Sequence, residues 1–468
     1  MDTQPKGQNL PDISNRIKIV GLIVVLLIIA VGIMYFVTGQ RNKTSTITPG
    51  QKPFEQSGQA AGQAGYGSSE KTNIKEAVAE ASASVITGLK GQSPEWILLF
   101  VTAGYDVEEV VKEVRNTFPQ AKLHGGTSSV HVITKDSMLK GENMNSLALM
   151  AVNSPRIDFG VAGAEVSESL TAKEAGKKAI LEAIANAGKE GQIPPIVYIT
   201  ASYGNEEDIL KGMEEVVGNN TPILGGSAAD NDFSGKWKEI NNSEVYGNGL
   251  VVTVFFTDLK VGWNYDAGYF VTEHEGTVTK SKGRIIYEID NKPAAEVYNE
   301  WTGGLIKNEL AGEGSLACNV VKTTTYNPLA RVIPGANKEM HDLAISVKDV
   351  ILPEKALSTF ANVYEGDKIT MMHGNWELLL NRGQTTALKA MNSEGIKEGD
   401  GLFGIYTYCA CTMLGVPEDE LKKMPLIINS VTGNLPYIGN FTFGEQGLLK
   451  GWGNEHGNLI GSMIIFSQ

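Results

Sequence analysis

The sequence predicts an α+β protein of repeated strand–helix–glycine turn–strand units. These form mixed sheets covered by helices, in two modules, behind one N-terminal transmembrane helix. Three observations lead there. A short element, an apolar run ending in glycines and small residues, occurs three times. Its surroundings recur with it. A long uncharged apolar run stands near the amino terminus.

The clearest copy of the element is Pro222-Ile-Leu-Gly-Gly-Ser-Ala-Ala-Asp-Asn-Asp-Phe233. Ala121-Lys-Leu-His-Gly-Gly-Thr-Ser-Ser129 precedes it, and Leu435-Pro-Tyr-Ile-Gly-Asn-Phe-Thr-Phe-Gly-Glu445 is a looser third copy. A strand-like run stands before each: Trp96–Thr102, Ile196–Thr200 and Leu402–Thr407. An acidic helical segment follows each run, at Asp106–Val114, Glu206–Val216 and Pro417–Lys422. A second apolar strand ends each unit, at Ser146–Val152, Gly249–Phe256 and Leu459–Phe466. The spacing is too irregular for a solenoid, so the units belong to globular packing.

From Ile19 to Gln40 no residue is charged, and 19–37 is nearly all apolar. A bilayer core needs roughly 20 such residues, and no small-residue cleavage site follows, so the run predicts an anchor rather than a removed signal. Residues 1–18 form a short polar tail, and 41–72, rich in Gly, Ser and Gln, a flexible linker with little to bury. Lys and Arg flank the span almost evenly. The short tail and stalk-like linker favour a single-pass cell-membrane protein with its body extracytoplasmic. Asn73–Lys90 and Thr171–Gly188 read as amphipathic helices, and Asn248-Gly249 as a hairpin turn. Residues 305–397 read mostly as strands and turns, with helices near 376–380 and 385–391.

Composition excludes some roles. A net charge of −13 over 468 residues lacks the cationic footprint of a nucleic-acid binder. Three cysteines, Cys318, Cys409 and Cys411, make neither a disulfide framework nor a zinc pattern. No cofactor motif is present: the glycine elements lack the P-loop lysine and the dinucleotide spacing.

The series Gly-Gly-Ser-Ala-Ala-Asp230, Glu244-Val-Tyr, Gly249-Leu-Val-Val, Val261-Gly262 and Ile286-Tyr-Glu-Ile-Asp-Asn-Lys-Pro-Ala294 resembles the FIST-domain proteins. The later series Leu329-Ala-Arg331, Glu365-Gly-Asp367, Tyr408-Cys409-Ala410, Phe441-Thr-Phe-Gly-Glu445 and His456-Gly-Asn458 is similar to their FIST C companion. The resemblance implies a FIST N-like module over 73–300 and a FIST C-like module over 301–468. It also implies a sensory role in signal transduction, with a small ligand such as an amino acid. The chain departs from the family where Cys411-Thr412 replaces an Arg-Gly pair.

Glycines and small hydroxyls after a strand expose backbone N–H groups that suit a carboxylate. The candidate ligand-binding residues are therefore Gly125, Gly126, Thr127, Ser128, Gly225, Gly226, Ser227 and Asp230. The resemblance adds Arg331, Cys409, Phe443, Glu445, His456 and Asn458. Glu445 is placed to grip a ligand ammonium and Asn458 to bond an amino-acid head group. The expected site is a cleft between the modules, read out by a separate signalling partner. Two other readings stay open: a surface-assembly protein that self-associates, and a hydrolase or transferase using Cys409 or a serine. None of Ser128, Ser129 and Ser227 sits in a Gly-x-Ser-x-Gly elbow.

Overall fold

The computed structural model describes residues 60–312 and 317–468. Each unit opens with a strand and a covering helix. The first unit is β1 (Gln63–Ser69), α1 (Ile74–Gly88), β2 (Trp96–Thr102), α2 (Val107–Thr117), β3 (Lys122–Ser128), the hairpin β4–β5 (Val132–Thr134, Met138–Leu139) and β6 (Leu147–Asn153). The second repeats that order: β7 (Ile157–Glu165), α3 (Ala172–Asn186), β8 (Ile196–Ala201), α4 (Glu206–Val217), β9 (Ile223–Ser227), the hairpin β10–β11 (Glu239–Asn241, Glu244–Tyr246) and β12 (Gly249–Thr257).

The third unit starts at β13 (Val261–Asp266) and is interrupted by an insertion. The insertion runs through β14 (Phe270–Lys282), β15 (Ile285–Ile289), β16 (Lys292–Pro293), α5 (Ala294–Trp301), α6 (Lys307–Leu310), β17 (Ala317–Asn319), α7 (Val321–Thr324), β18 (Leu329–Pro334), β19 (Met340–Ile345), β20 (Val347–Ile351), β21 (Ala356–Thr359) and β22 (Lys368–His373). The unit then resumes with α8 (Trp376–Glu394), β23 (Gly401–Cys409), α9 (Ala410–Met413), α10 (Glu418–Leu421), α11 (Met424–Thr432), β24 (Tyr437–Thr442), the hairpin β25–β26 (Glu445–Leu449, Gly453–Gly457) and β27 (Gly461–Ser467).

The sheets show how the units join. Their orders are β1-β6-β2-β3-β10-β11, β7-β12-β8-β9-β25-β26 and β13-β27-β23-β24-β4-β5. Each unit thus supplies four strands of its own sheet, two of them a parallel pair, and borrows a hairpin from another unit. The loans run in a cycle. The insertion forms a fourth sheet, β17-β20-β21-β15-β14-β22-β18-β19, with β16 pairing β15 off that path.

The same cycle appears in the backbone just past the parallel strands. Ala229 N donates to Thr127 O at 3.0 Å, Phe443 N to Ser227 O at 3.1 Å, and Ser129 N to Phe441 O at 2.9 Å. Strand register makes these three contacts equivalent. Inside the cycle the inner sheet faces share one apolar core with Trp96, Phe100, Tyr198, Phe255, Phe403 and Phe466. Outside, α1 with α2 and α3 with α4 cover the first two sheets.

Several expectations need correction. The glycine elements at 125–128 and 225–227 are not turns; they lie inside β3 and β9 and make ladder bonds on both sides. The linker assignment 41–72 is too long, because 63–69 pairs with β6 as β1. Its glycines are there because α1 lies directly on the strand: a Cβ at Gly65 or Gly67 would run into the Val85 or Ala81 carbonyl. Asn248-Gly249 leads into β12 without forming a hairpin, since β11 pairs with β10 instead. The helices predicted near 376–380 and 385–391 are one helix. The proposed membrane span 19–40 lies outside the described residues, and among those described no helix is long and apolar enough to cross a membrane.

The close strand packing generates a prediction. A Cβ at Gly225 would collide with the Ile199 carbonyl of the neighbouring strand, and backbone cannot yield cheaply. Gly225→Ala is expected to cost about 3 kcal/mol, visible as a lowered Tm in thermal unfolding. An unchanged Tm would contradict this packing.

Candidate functional site

The carboxyl ends of the parallel strands converge on one cavity of about 250 Å³. Ser129 and Val130 follow β3, Asn231 to Phe233 follow β9, Phe443 follows β24, and Ala410 and Cys411 follow β23. The insertion closes it with Lys322, Lys348 and Phe360. Such strand ends are where open parallel sheets commonly hold ligands.

Three rings form the walls. Phe233 lies 4.6 Å from Phe443 and 5.6 Å from Phe360, centroid to centroid. Lys348 Nζ is 5.3 Å from the Phe233 ring and 5.6 Å from that of Phe360. Its contact with Asp349 reaches only 4.0 Å, so the ammonium is held mainly against ring faces.

Two wall residues have left-handed backbone, Val130 at φ 60° and Phe233 at φ 58°. That is strained for a β-branched or bulky residue. Local bonds hold both. Val130 N donates to Asn231 Oδ1 at 2.8 Å. The buried Asp230 carboxylate accepts Lys236 N at 2.8 Å and Asp232 N at 3.3 Å, shaping the loop that carries Phe233.

Next to the cavity wall lies a buried polar cluster. Ser227 Oγ donates to Glu206 Oε1 at 2.8 Å, and Gln446 Nε2 donates to Ser227 Oγ at 3.2 Å. Gln446 Nε2 also reaches His456 Nδ1 at 3.1 Å, and His456 Nε2 faces Phe360 O at 3.3 Å. Glu206 Oε1 is 3.7 Å from that nitrogen. Arg284, from the insertion, bonds Glu206 Oε2 at 2.6 Å and Glu207 Oε2 at 3.0 Å, with its guanidinium 4.9 Å from the Tyr203 ring. Burial raises the Glu206 carboxyl, but His456, Arg284, backbone N–H and Ser227 outweigh it and hold it below its ordinary value. Ser227 gives its proton to Glu206 rather than to His456, and all three are fully buried. That is a structural arrangement and no primed nucleophile.

Of the residues singled out from sequence, Phe443 lines the cavity, and Ser227 and His456 belong to the cluster beside it. Glu445 is not a solvent-facing grip. It is fully buried, accepting Thr442 Oγ1 at 2.7 Å and Ile460 N at 3.0 Å. Burial and then the Cys409 thiol push it well above the usual carboxylate range. Asn458 is buried, with Oδ1 accepting Ser346 N at 3.2 Å. Cys409 is buried, and burial followed by Cys411 pushes its thiol up, so it is no reactive thiolate. Arg331 is occupied by Asp367 at 2.8 Å and Glu455 at 3.2 Å.

Gly125, Gly126, Gly225 and Gly226 serve strand packing. Thr127 Oγ1 accepts Lys238 N at 2.9 Å, and Ser128 Oγ accepts Phe441 N at 2.8 Å. Sequence reasoning did not single out Lys348, Phe360, Arg284, Glu206 or Gln446. Only the Glu206-Glu207 pair opening a helix carried a signal.

The FIST N domain matches residues 95–292 and the FIST C domain matches 294–448. The chain carries both FIST modules in tandem. FIST domains are sensory modules that bind small ligands in signalling. The chain is also 31% identical over 138 residues to an uncharacterized protein of Methanocaldococcus jannaschii, covering 29% of this chain and 25% of that one. It thus spans about a quarter of that relative's length.

Among solved structures, the cyanuric acid hydrolase of A. caulinodans aligns with 86% of this FIST chain and 99% of its own, at 10% identity and a TM-score of 0.35. PurLQS of Thermotoga maritima aligns with 87% and 74%, at 10% identity and a TM-score of 0.21. Neither score bears on fold or activity.

The Glu206–Arg284 pair sets an acid limit on stability. A carboxylate lowered in the fold contributes stability above its unfolded value, about 4.3. That contribution is lost as pH falls through the folded value below it. Arg284→Met removes a lowering charge, so its acid unfolding midpoint should move to higher pH. At pH 7 it should cost about 3 kcal/mol, because the buried Glu206 charge loses its guanidinium partner. Acid titration followed by circular dichroism checks this; coincident midpoints would contradict it.

Proposed function

We propose that this FIST protein is a membrane-anchored sensor. It binds an amino acid or small carboxylate in the cavity at the three strand ends and signals through a separate partner. The observation that carries the reading is the cavity itself. One ammonium, Lys348, lies against two phenyl rings in a largely apolar space, beside Lys322 and the polar groups of Ser129 and Asn231. An acid end would pair with Lys348, where the apolar surroundings strengthen the attraction. An apolar body would lie among Phe233, Phe360 and Phe443. Asp232 on the lining would take an amino group.

The readout follows from what the cavity touches. Val321, Lys322, Lys348 and Phe360 come from the insertion, and the other walls from the three units. Phe360 O faces His456, which adjoins Glu206 and its partner Arg284. A ligand that prefers one position of the insertion would shift its population against the units. The apolar run 19–40 supports the anchor, with the body outside the membrane.

The test is the Tm of the full chain against amino acids and small carboxylates. A ligand at 100 times its Kd adds about 2.7 kcal/mol of stability. The expected result is a selective rise, largest for apolar-bodied acids and lost in Lys348→Met. A rise that survives both Lys348→Met and Phe233→Ala would place the ligand elsewhere, and no rise with any compound would contradict the sensor reading.

A further inference from the structure

A second feature, independent of the ligand cavity, concerns Arg382 on α8. Its side chain is 2% exposed in the interior of the third unit. Nη1 donates to Leu459 O, and the guanidinium carbon lies 5.2 Å from the Tyr269 ring and 5.5 Å from that of Tyr408. Nε and Nη2 have no partner. The Tyr269 hydroxyl donates to Thr325 O at 2.7 Å and gives the guanidinium a contact that falls short of full hydrogen-bond geometry.

The phenols of Tyr408, Tyr269 and Tyr406 surround the Arg382 guanidinium, and burial pushes all three up, so none carries a charge to pair with it. Asp266, two residues from Gly268, is held by Lys389 Nζ. A fully buried cation is costly unless paired, and ring faces return only part of that cost.

Two further buried donors stand beside it without partners. Thr386 Oγ1 is one helical turn along the same face of α8, and a Cβ at Gly461 of β27 would touch both residues, 3.0 Å from Arg382 Cδ and 3.4 Å from Thr386 Oγ1. The Tyr406 hydroxyl, from the face of β23 that carries Tyr408, is the other. Every unpaired group in this set can donate a proton. The acceptor such a set suits is an anion.

We propose that the space between α8 and strands β23 and β27 is a buried anion site. It takes a monovalent anion of chloride size, or the carboxylate end of a small acid, with Arg382, Thr386 and Tyr406 as donors. A way in exists. Gly268, Tyr269 and Ile460 line a separate cavity of about 220 Å³, and a Cβ on Gly268 would stand 3.5 Å from Arg382 Nε. Asp266 and Asp342 also line that cavity, so the anion sits behind its wall, against the guanidinium, rather than in it.

The test uses the full chain in sulfate buffer at fixed ionic strength, with chloride or acetate substituted stepwise and Tm as the readout. Crystals soaked in bromide locate the ion by anomalous scattering. The Tm should rise with chloride or acetate. The apparent affinity should fall about tenfold, the worth of one hydrogen bond, in Tyr406→Phe, and the dependence should vanish in Arg382→Met. Lys348→Met should leave it intact. If Arg382→Met does not fold, Tyr406→Phe and Thr386→Val decide.

A response to chloride assigns an inorganic ion, and a response to acetate alone assigns a carboxylate. Bromide density beside Arg382 is expected in the first case. The site is overturned if neither anion moves the Tm, or if Tyr406→Phe and Thr386→Val respond as the unaltered chain does.

Discussion

Three equivalent backbone hydrogen bonds, from Ala229 N to Thr127 O, Phe443 N to Ser227 O and Ser129 N to Phe441 O, tie the three units together just past their parallel strands. Much else follows from this ring. For the strand ends to meet, the residues leading into it must be small. Gly225 and Gly439 each have a neighbouring strand's carbonyl where a Cβ would go. With the ends tied, each unit's hairpin extends past them into the next sheet, and the cycle of loans closes. The shared core around Trp96 and Phe403 is then enclosed on every side by strand.

Buried polar groups mark the same joints. Glu239 faces Gly126 across one borrowed hairpin, and Glu445 faces Gly226 across another. The third joint carries Val132 opposite Asn440. Both glutamates are fully buried, and burial pushes Glu239 up to about 8. The joint bearing Glu445 also holds Ser227, Gln446, His456 and Glu206, and there Arg284 brings in the insertion. The departure from repetition thus coincides with the place where the insertion meets the ring. The added sheet supplies one wall of the cavity at the strand ends.

Much of this was legible from residues alone. The recurrence around 125–129, 225–230 and 439–445 identified three repeated units and the strand that opens each glycine element's neighbourhood, because apolar runs leave a strong trace. The function of the glycines was misread, since a Gly-Gly at a strand end looks the same whether it turns or packs. The hairpin exchange left no trace, as pairing partners between units are set by tertiary contact. β1 hid in a Gly-rich stretch because its composition serves a helix crossing rather than strand propensity. The first strand of the third unit was missed because the insertion separates it from α8.

The site residues divide the same way. Phe443 carried a signal through its motif. Lys348 and Phe360 sit in ordinary strand sequence, and only folding brings them beside Phe233. Glu445, His456 and Asn458 drew attention through their motif yet are buried in the framework. The central claim is that one ligand engages all three units and the insertion at once. Hydrogen exchange of the full chain with and without a stabilising carboxylate tests it most directly. The account predicts joint protection in 129–131, 229–233, 410–414 and 346–362. Protection confined to a single unit, with 346–362 unchanged, would contradict it.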